Sequence, residues 1–195
     1  MQHQHFILHK PLGYLSQFVN NQTKRKNKKL LGELFELGSC PKGIMAIGRL
    51  DEDSEGMLLL TTDGKVSEQV RSKTVEKEYY IQVDGRITPK AIEQLKTGLE
   101  ISIRGKKYKT LPCHAAALDF VPDFPARTKK IRDPRHGPTS WLSITITEGK
   151  FRQVRKMSAA VGFPTLRLIR VRIGQLKLGA LSSGALEEVK AFKIR

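Results

Sequence analysis

The sequence predicts an α+β fold in which strands outnumber helices. Short apolar or alternating runs bounded by turn residues indicate strands. They lie at residues 6–10, 45–50, 57–62, 78–83, 99–103, 111–120, 141–147 and 165–173. Three- and four-residue apolar spacing indicates helices, which are expected at residues 30–37, 65–72, 89–97 and 150–161. The third helix has an N-cap, Thr88, followed by Pro89 at its first position, and Gly162 ends the fourth.

The fourth predicted helix separates an apolar stripe from a basic one. Its apolar residues recur at three- and four-residue steps and predict the buried face: Phe151, Val154, Met157 and Val161. Arg152, Arg155 and Lys156 follow a neighbouring stripe. Such a stripe, left unpaired, destabilises an isolated helix by a few tenths of a kcal/mol per pair. It is either a plain basic face or one whose repulsion is offset by a polyanion or a buried carboxylate.

Composition restricts the class of protein. The chain has 35 Lys and Arg against 19 Asp and Glu, a net charge of +16 that attracts polyanions, so nucleic acid is the leading partner class. We expect no transmembrane helix and no signal peptide. Cys40 and Cys113 are the two cysteines, too few for a disulfide framework or a CxxC site, which fits a reducing cytoplasm.

Two loop segments concentrate the positive charge. NNQTKRKNKK spans residues 20–29, and FPARTKKIRDPRHGP spans residues 124–138. The second contains Lys129, Lys130 and Arg132. Each segment taken alone is as well explained by a solvated charge run. Because like charges repel, two such segments in a basic chain favour a shared anionic partner.

The stretch AIGRLDEDSEGMLLLTTDGK, residues 46–65, is the most acidic part of the chain. DEDSEG resembles the start of a calcium loop, but Thr62 stands where a bidentate Glu is required, and MLLL predicts a buried strand. We expect Glu52, Asp53 and Glu55 to point outward or cap the turn. Asp51 lies nearest the rigid frame, and Arg49 would share its side of an extended strand.

Other common kinds of site are not indicated. Cys113 and His114 are adjacent without a second pair at zinc-ligand spacing. The chain contains neither GxxxxGK[ST], GxGxxG nor GxSxG, and its histidines have no triad-like context. We therefore expect no metal and no cofactor.

Several segments, in order, resemble the RsuA-like family of ribosomal RNA pseudouridine synthases, and within it the type that acts on 23S rRNA without an S4 domain. They are HKPLGYLSQF, GRLDEDSEGMLLLTTDG, KEYYIQV, EGKFRQVRKM and LRLIRVRIGQLKL. The resemblance implies one catalytic domain over residues 1–195, with a largely antiparallel central sheet flanked by helices. It also implies closely packed subdomains, 1–64 and 65–195, with a cleft between them, and no S4 domain ahead of them.

The resemblance also implies roles for individual residues. Asp51 would be the catalytic carboxylate of uridine isomerisation, paired with Arg155. Tyr79 would stack on the extruded uracil or assist proton transfer, with Tyr80 on the opposite strand face. Leu168 would support the base.

The remaining implied site residues would bind the substrate. Arg49 would fill the space that the extruded base leaves, and Lys10 would shape the cleft wall. Positive residues would contact ribosomal RNA: Arg152, Lys156, Lys129, Lys130 and Arg132. We expect a cytoplasmic monomer. Attack by Asp51 on the sugar, attack on the base and a glycal route all remain open, and the alternative function is a non-catalytic RNA-binding or ribosome-assembly protein.

Overall fold

The computed structural model describes residues 3–19, 27–36, 38–72, 74–127 and 129–194. The strands of the first part of the chain are β1 (His5–Lys10), β2 (Tyr14–Leu15), β3 (Lys29–Leu30), β4 (Met45–Ala46) and β5 (Glu55–Thr61). Helix α1 (Gly64–Arg71) and strand β6 (Lys77–Asp84) follow, then α2 (Pro89–Thr97), β7 (Glu100–Ile103), β8 (Lys106–Lys109) and β9 (His114–Leu118). The last elements are β10 (Thr139–Ile146), α3 (Gln153–Ala160), β11 (Thr165–Ile173), β12 (Leu176–Lys177) and β13 (Leu186–Val189). Short 3-10 helices cover Leu31–Leu34 and Pro134–His136.

The chain forms two compact units. The first contains residues up to Val75 and those from Arg170 onward, and the second contains Glu76–Ile169. This division differs from the expected boundary after residue 64, because the C-terminal strand β13 returns to pair with β1. The α+β class is confirmed. In the part of the chain that the structure describes, no helix has the length and apolar character needed to cross a membrane.

In the first unit the strands hydrogen-bond in the order β13–β1–β5–β11. β1 and β5 are antiparallel, with His5 opposite Thr61 and Lys10 opposite Gly56. Every residue of both strands is buried. Burial on both faces explains why β5 reads as the continuous apolar run MLLL rather than as an alternating pattern.

In the second unit the order is β11–β6–β10–β9, and β10 is antiparallel to both of its neighbours. One face carries Ile81, Val83, Leu142 and Ile144, all fully buried. Helix α2 has the predicted bounds, and its N-cap Thr88 accepts a hydrogen bond from the Ala91 N–H at 3.3 Å.

Several predicted elements were wrong in extent. The strand predicted at 45–50 ends at Ala46, because Gly48 adopts a φ of +72°. The helix predicted at 30–37 is a short strand followed by a 3-10 turn; residue 37 lies outside the described residues. The strand predicted at 111–120 is β9 alone, and a β7–β8 hairpin was not predicted.

The fourth predicted helix begins later than expected. Arg152 has a left-handed conformation, with φ 51° and ψ 34°, so α3 starts at Gln153. Phe151, predicted to be buried, is therefore outside the helix and 55% exposed. Val154 and Met157 are buried as predicted, whereas Val161 is half-buried and follows the last residue of α3.

Candidate active site

Asp51 lies in a tight turn that leads into β5. Its carbonyl accepts a hydrogen bond from the Ser54 N–H at 3.0 Å, and its side chain is half-buried. Gly56 closes the turn with a φ of +103°, and a Cβ there would lie 2.4 Å from the Arg170 carbonyl oxygen. Only glycine fits so close an approach, which fixes where the turn ends.

The segment that follows β1 holds the backbone on both sides of Asp51. Ser16 is buried; its Oγ donates to the Leu50 carbonyl at 2.8 Å and accepts from the Leu50 N–H at 3.0 Å. The Gly13 N–H donates to the Glu52 carbonyl at 2.8 Å. Ser16 was not predicted as a site residue, although it stands inside the HKPLGYLSQF segment that carries part of the resemblance.

Lys10 is a fully buried cation next to this turn. Its Nζ donates to the carbonyls of Pro11 at 3.0 Å and Tyr14 at 2.8 Å. Burial lowers its pKa to about 8, while Glu55 and then Asp53, Asp51 and Glu52 act in the opposite direction. Lys10 was predicted to shape a cleft wall. The structure shows in addition that its ammonium is attracted by the carboxylates of residues 51–55, the acidic turn.

The neighbouring acids differ from one another. Glu55 was predicted to point outward or cap the turn; it does not point outward, because it is 4% exposed as the first residue of the fully buried β5. Its charge is the largest stabilising influence on the Lys10 ammonium. Glu52 lies 2.5 Å from the Lys28 ammonium, and Asp53 is exposed as expected.

Arg49 is exposed. The expected strand that would have placed it on the same side as Asp51 is not formed, because β4 ends at Ala46 and residues 47–50 are not a strand. Its assignment to substrate binding therefore rests on the family resemblance and on its exposure.

Tyr79 belongs to the second unit. It is 9% exposed and lies on β6 on the same face as buried Ile81 and Val83. Tyr80 is half-buried, and its ring meets those of Phe120 and Phe124 edge-on. The two tyrosines take opposite faces, as period-2 alternation predicts. Leu168, on β11, is 5% exposed.

The basic helix α3 is anchored by a buried carboxylate that was not predicted from the sequence. Glu148 is 8% exposed, and its Oε2 accepts from the Gln153 amide at 2.7 Å and from the Leu111 N–H at 2.9 Å. The Tyr108 hydroxyl donates to its other oxygen. Gln153 in turn accepts from the Lys150 N–H at 3.1 Å. These bonds hold the turn in which Arg152 adopts its left-handed conformation.

Arg152, Arg155 and Lys156 are all half-buried. Arg155 Nη1 is 3.5 Å from the Thr165 carbonyl, and Lys156 Nζ donates to the Ser102 carbonyl. The predicted common stripe is modified, since Arg152 precedes α3 and is not part of it.

The basic segment at 124–138 is described apart from residue 128. Lys129 and Lys130 are exposed, and Arg132 is half-buried with Nη1 2.5 Å from the Asp84 carboxylate. Of the other basic segment, residues 20–26 lie outside the described residues. Across the described ranges, no group of three or more His, Cys, Asp or Glu side chains is placed to hold a metal ion.

Comparison with known proteins identifies the family. The RNA pseudouridylate synthase family model matches residues 4–160. Because that match covers most of the 195 residues, the chain belongs to this family. The protein is therefore an isomerase of RNA uridine, as the resemblance implied.

Similar proteins in other organisms agree with this. Ribosomal large subunit pseudouridine synthase E of Vibrio parahaemolyticus is 39% identical over 187 residues, covering 94% of this chain and 73% of that protein. The enzyme of the same name from Xanthomonas axonopodis pv. citri is 39% identical over 178 residues, covering 90% and 88%. Ribosomal large subunit pseudouridine synthase B of Bacillus subtilis is 32% identical over 193 residues, covering 98% and 70%.

Solved structures show the same fold. A crystal structure described as a pseudouridylate synthase superposes with a TM-score of 0.75 at 26% identity, covering 96% of this chain and 70% of that chain. Human RNA Pseudouridylate Synthase Domain Containing 1 gives a TM-score of 0.54 at 13% identity, a likeness of fold alone.

Proposed function

We propose that this protein isomerises one uridine of large-subunit ribosomal RNA, in a 23S rRNA stem-loop, to pseudouridine, with Asp51 as the catalytic carboxylate. The observation that carries the proposal is the acidic turn. Its backbone is held by Ser16 and Gly13, and it contains the carboxylate of the GRLD segment within the matched family region. The names of the relatives from Vibrio and Xanthomonas support the large subunit as the source of the substrate.

The reaction needs no external reagent. The bond from N1 of uracil to C1′ of ribose breaks, the base turns, and a bond from C5 to C1′ forms. The proton lost from C5 is balanced by the one gained at N1. Asp51 attacks the sugar, attacks the base or assists elimination to a glycal, and each route requires the same carboxylate in its ionised form.

Nearby positive charge keeps such a carboxylate ionised, because an opposite charge within a few ångström lowers a carboxylate pKa by about one to three units. Lys10 supplies one such charge within the first unit. Arg155 is proposed to pair with Asp51 and keep it ionised, as the family resemblance implies.

The uridine must leave its stack, which costs a few kcal/mol. Arg49 is proposed to fill the vacated space, Tyr79 to stack on the uracil or assist proton transfer, and Leu168 to support the base. Arg152 and Lys156 are proposed to contact phosphates, as the net charge of +16 favours. We propose that the protein acts as a monomer in the cytoplasm.

The test is carbodiimide mapping of pseudouridine in ribosomal RNA transcripts and in precursor particles, with wild-type protein, Asp51→Asn and Asp53→Asn. Asp53 is the matched control, because it is an exposed acid in the same turn. We expect one new pseudouridine with the wild type and the control, and none with Asp51→Asn. If Asp51→Asn still formed pseudouridine, Asp51 would be rejected as the catalytic residue. If the wild type bound RNA but formed no pseudouridine in any RNA tested, the non-catalytic alternative would be favoured.

A further inference from the structure

A cavity of about 460 Å³ opens in the second unit. Three strands contribute to its wall, through Gln82 of β6, Thr139 of β10 and Arg167 of β11. Residues 126, 127, 129–133 and 137 complete it. Small-ligand sites in proteins have volumes of about 300–1,000 Å³. The cavity is thus large enough for a single nucleotide.

Its lining is strongly positive. Among the described residues that line it, one is acidic, Asp133, and the basic ones are Arg127, Lys129, Lys130, Arg132 and Arg167. Asp133 is already engaged, since it accepts from the Arg135 Nε at 3.1 Å and lies 3.4 Å from the Lys130 ammonium. Hydrogen bonds from Arg135 lower the pKa of Asp133, so its charge is fixed and locally compensated. The surplus charge favours an anionic ligand.

Two of the arginines donate hydrogen bonds to backbone carbonyls. Arg167 is 7% exposed; its Nη2 donates to the Pro125 carbonyl at 2.9 Å, and its guanidinium lies 5.8 Å from the Phe124 ring centre. Arg127 Nη1 donates to the Leu166 carbonyl at 3.2 Å. Each carbonyl limits the movement of the guanidinium that it binds. Groups held in place in this way lose less conformational entropy when a ligand binds.

The lysines differ from the arginines in exposure. Lys129 and Lys130 are exposed, whereas Arg132 is half-buried and paired with Asp84 at 2.5 Å. Exposed lysines reach a phosphate without breaking a buried contact. Lys129 and Lys130 are therefore the residues suited to a phosphate at the mouth of the cavity.

The side-chain amide of Gln82, in the cavity wall, has an oxygen that can accept a further hydrogen bond. The Gln82 amide donates to Thr139 Oγ1 at 2.9 Å, while its Oε1 is buried and has no hydrogen-bond partner among the described residues. A buried acceptor without a partner costs about 1–3 kcal/mol. A phosphate diester has no donor to offer, whereas the edge of every nucleobase carries an N–H group. A nucleotide satisfies both requirements, because its phosphate can bind the lysines and its base can donate to Gln82.

An aromatic cluster adjoins the cavity along the same strand face. Tyr80 precedes Gln82 by two residues on β6, and its ring meets that of Phe124 at 6.2 Å and that of Phe120 at 6.5 Å. Phe120 is 52% exposed. Exposed aromatic rings beside a basic groove are the usual platform for successive bases of a single strand. This favours a nucleotide within an RNA strand over a free one.

We propose that this cavity binds a second nucleotide of the RNA, separate from the uridine that is isomerised, with Lys129 and Lys130 on its phosphate and Gln82 accepting from its base. The proposal rests on the proposed function only in that RNA is the partner. The basic segment at 124–138 was predicted only to attract phosphates. The cavity adds the recognition of a base.

The test measures binding of a fluorescein-labelled oligouridine decamer and of an abasic decamer with the same backbone, by anisotropy over a range of salt concentrations. Gln82→Leu removes the acceptor at similar volume. Lys129→Ala/Lys130→Ala removes the two ammonium groups proposed to hold the phosphate. Lys106→Ala/Lys107→Ala is the matched control, because it removes two exposed lysines of the same unit that do not line the cavity.

We expect Gln82→Leu to weaken binding of the oligouridine about fivefold to tenfold and to leave the abasic strand within twofold. We expect Lys129→Ala/Lys130→Ala to weaken both strands alike, at least fivefold, and to flatten the salt dependence by about 0.7 in log–log slope for each phosphate that is no longer neutralised. Equal effects of Gln82→Leu on both strands, or none on either, would overturn base recognition. A lysine pair indistinguishable from its control would overturn the phosphate site.

Uridine monophosphate as competitor separates the two sources of a nucleotide. We expect uridine monophosphate to displace the decamer only at concentrations far above the Kd of the decamer. Displacement at concentrations near that Kd would overturn the assignment to an RNA strand. Asp51→Asn in the same assay distinguishes the two proposals. It should bind the decamers like the wild type while forming no pseudouridine, and a matching loss of decamer binding would show that the binding measured is at the Asp51 site and would overturn the second site.

Discussion

One hydroxyl group satisfies both backbone polar groups of the residue that precedes Asp51. Ser16 Oγ donates to the Leu50 carbonyl at 2.8 Å and accepts from the Leu50 N–H at 3.0 Å, and both residues are buried. The backbone entering the acidic turn is therefore fixed by a side chain from a distant segment of the sequence. Such fixation suits the proposed catalytic role of Asp51, since small displacements from the reactive geometry lower rates strongly.

Replacing Ser16 by Ala should impair turnover more than RNA binding. The substitution leaves a buried N–H and a buried carbonyl without their partner, which costs about 1–3 kcal/mol for each group. We expect kcat to fall at least tenfold with Kd for RNA within threefold, measured by pseudouridine formation and by anisotropy. Ser39→Ala, in an exposed turn, is the control and should change neither. A parallel loss of binding and turnover would show that Ser16 supports the unit as a whole.

Replacing Lys10 by Met should change how stability depends on pH. The pKa of Lys10 is about 8 in the folded protein and 10.5 as its ordinary value, so between these pH values the unfolded chain binds more protons than the folded one. The cost of burying the charge is fully present below pH 8 and is relieved as the pH rises to 10.5. One pKa unit corresponds to about 1.4 kcal/mol, so the relief is on the order of 3 kcal/mol.

The measurement is urea denaturation of the wild type and of Lys10→Met at several pH values from about 7 to 10.5. The free energy of unfolding of the wild type should rise relative to that of Lys10→Met over this range. Lys106→Met, at an exposed lysine, should show no such relative change. A constant difference between wild type and Lys10→Met would mean that Lys10 keeps its ordinary pKa.

Replacing Gly56 by Ala should destabilise the first unit severely. The added Cβ would lie 2.4 Å from the Arg170 carbonyl oxygen and 2.6 Å from its nitrogen, and the φ of +103° is unfavourable for any L side chain. We expect a loss of at least about 3 kcal/mol in the free energy of unfolding. Gly64→Ala is the matched control, since a Cβ there meets nothing within 4 Å and Gly64 opens α1. Equal stability of the two variants would show that β11 moves away from β5 at little cost.

Replacing Arg155 by Ala should reduce turnover more than affinity. If Arg155 pairs with Asp51, its loss raises the pKa of that carboxyl by about one to three units, because an opposite charge has been removed. The pH profile of kcat should then shift its acidic limb upward, with Kd for RNA little changed. Arg86→Ala, at an exposed arginine of the same unit, is the control. An equal loss of affinity with an unshifted profile would assign Arg155 to a phosphate contact.

Elements with strong local signals were predicted well. Helix α2 has the predicted bounds because Thr88 and Pro89 start it. Strand β11 has the predicted bounds because its largely alternating sequence is bounded by turn residues on both sides. The β7–β8 hairpin was missed because its turn uses Arg104 at a positive φ, where Asn, Asp or Gly is usual. Phe151 was misplaced because the left-handed Arg152 delays the start of α3, and no local pattern indicates that conformation.

The sequence by itself determined the family and the net positive charge, and it nominated Asp51 as the catalytic carboxylate. These depend on residue identity and on spacing within short segments. The tertiary structure alone decided that Lys10 and Glu55 are buried beside the acidic turn, that Glu148 anchors the turn before α3, and that Gln82 shares a cavity with the basic segment. The physical reason is that burial and hydrogen bonding depend on groups far apart in the chain. Ser16 meets Leu50 across 34 residues, and Glu148 meets Tyr108 across 40.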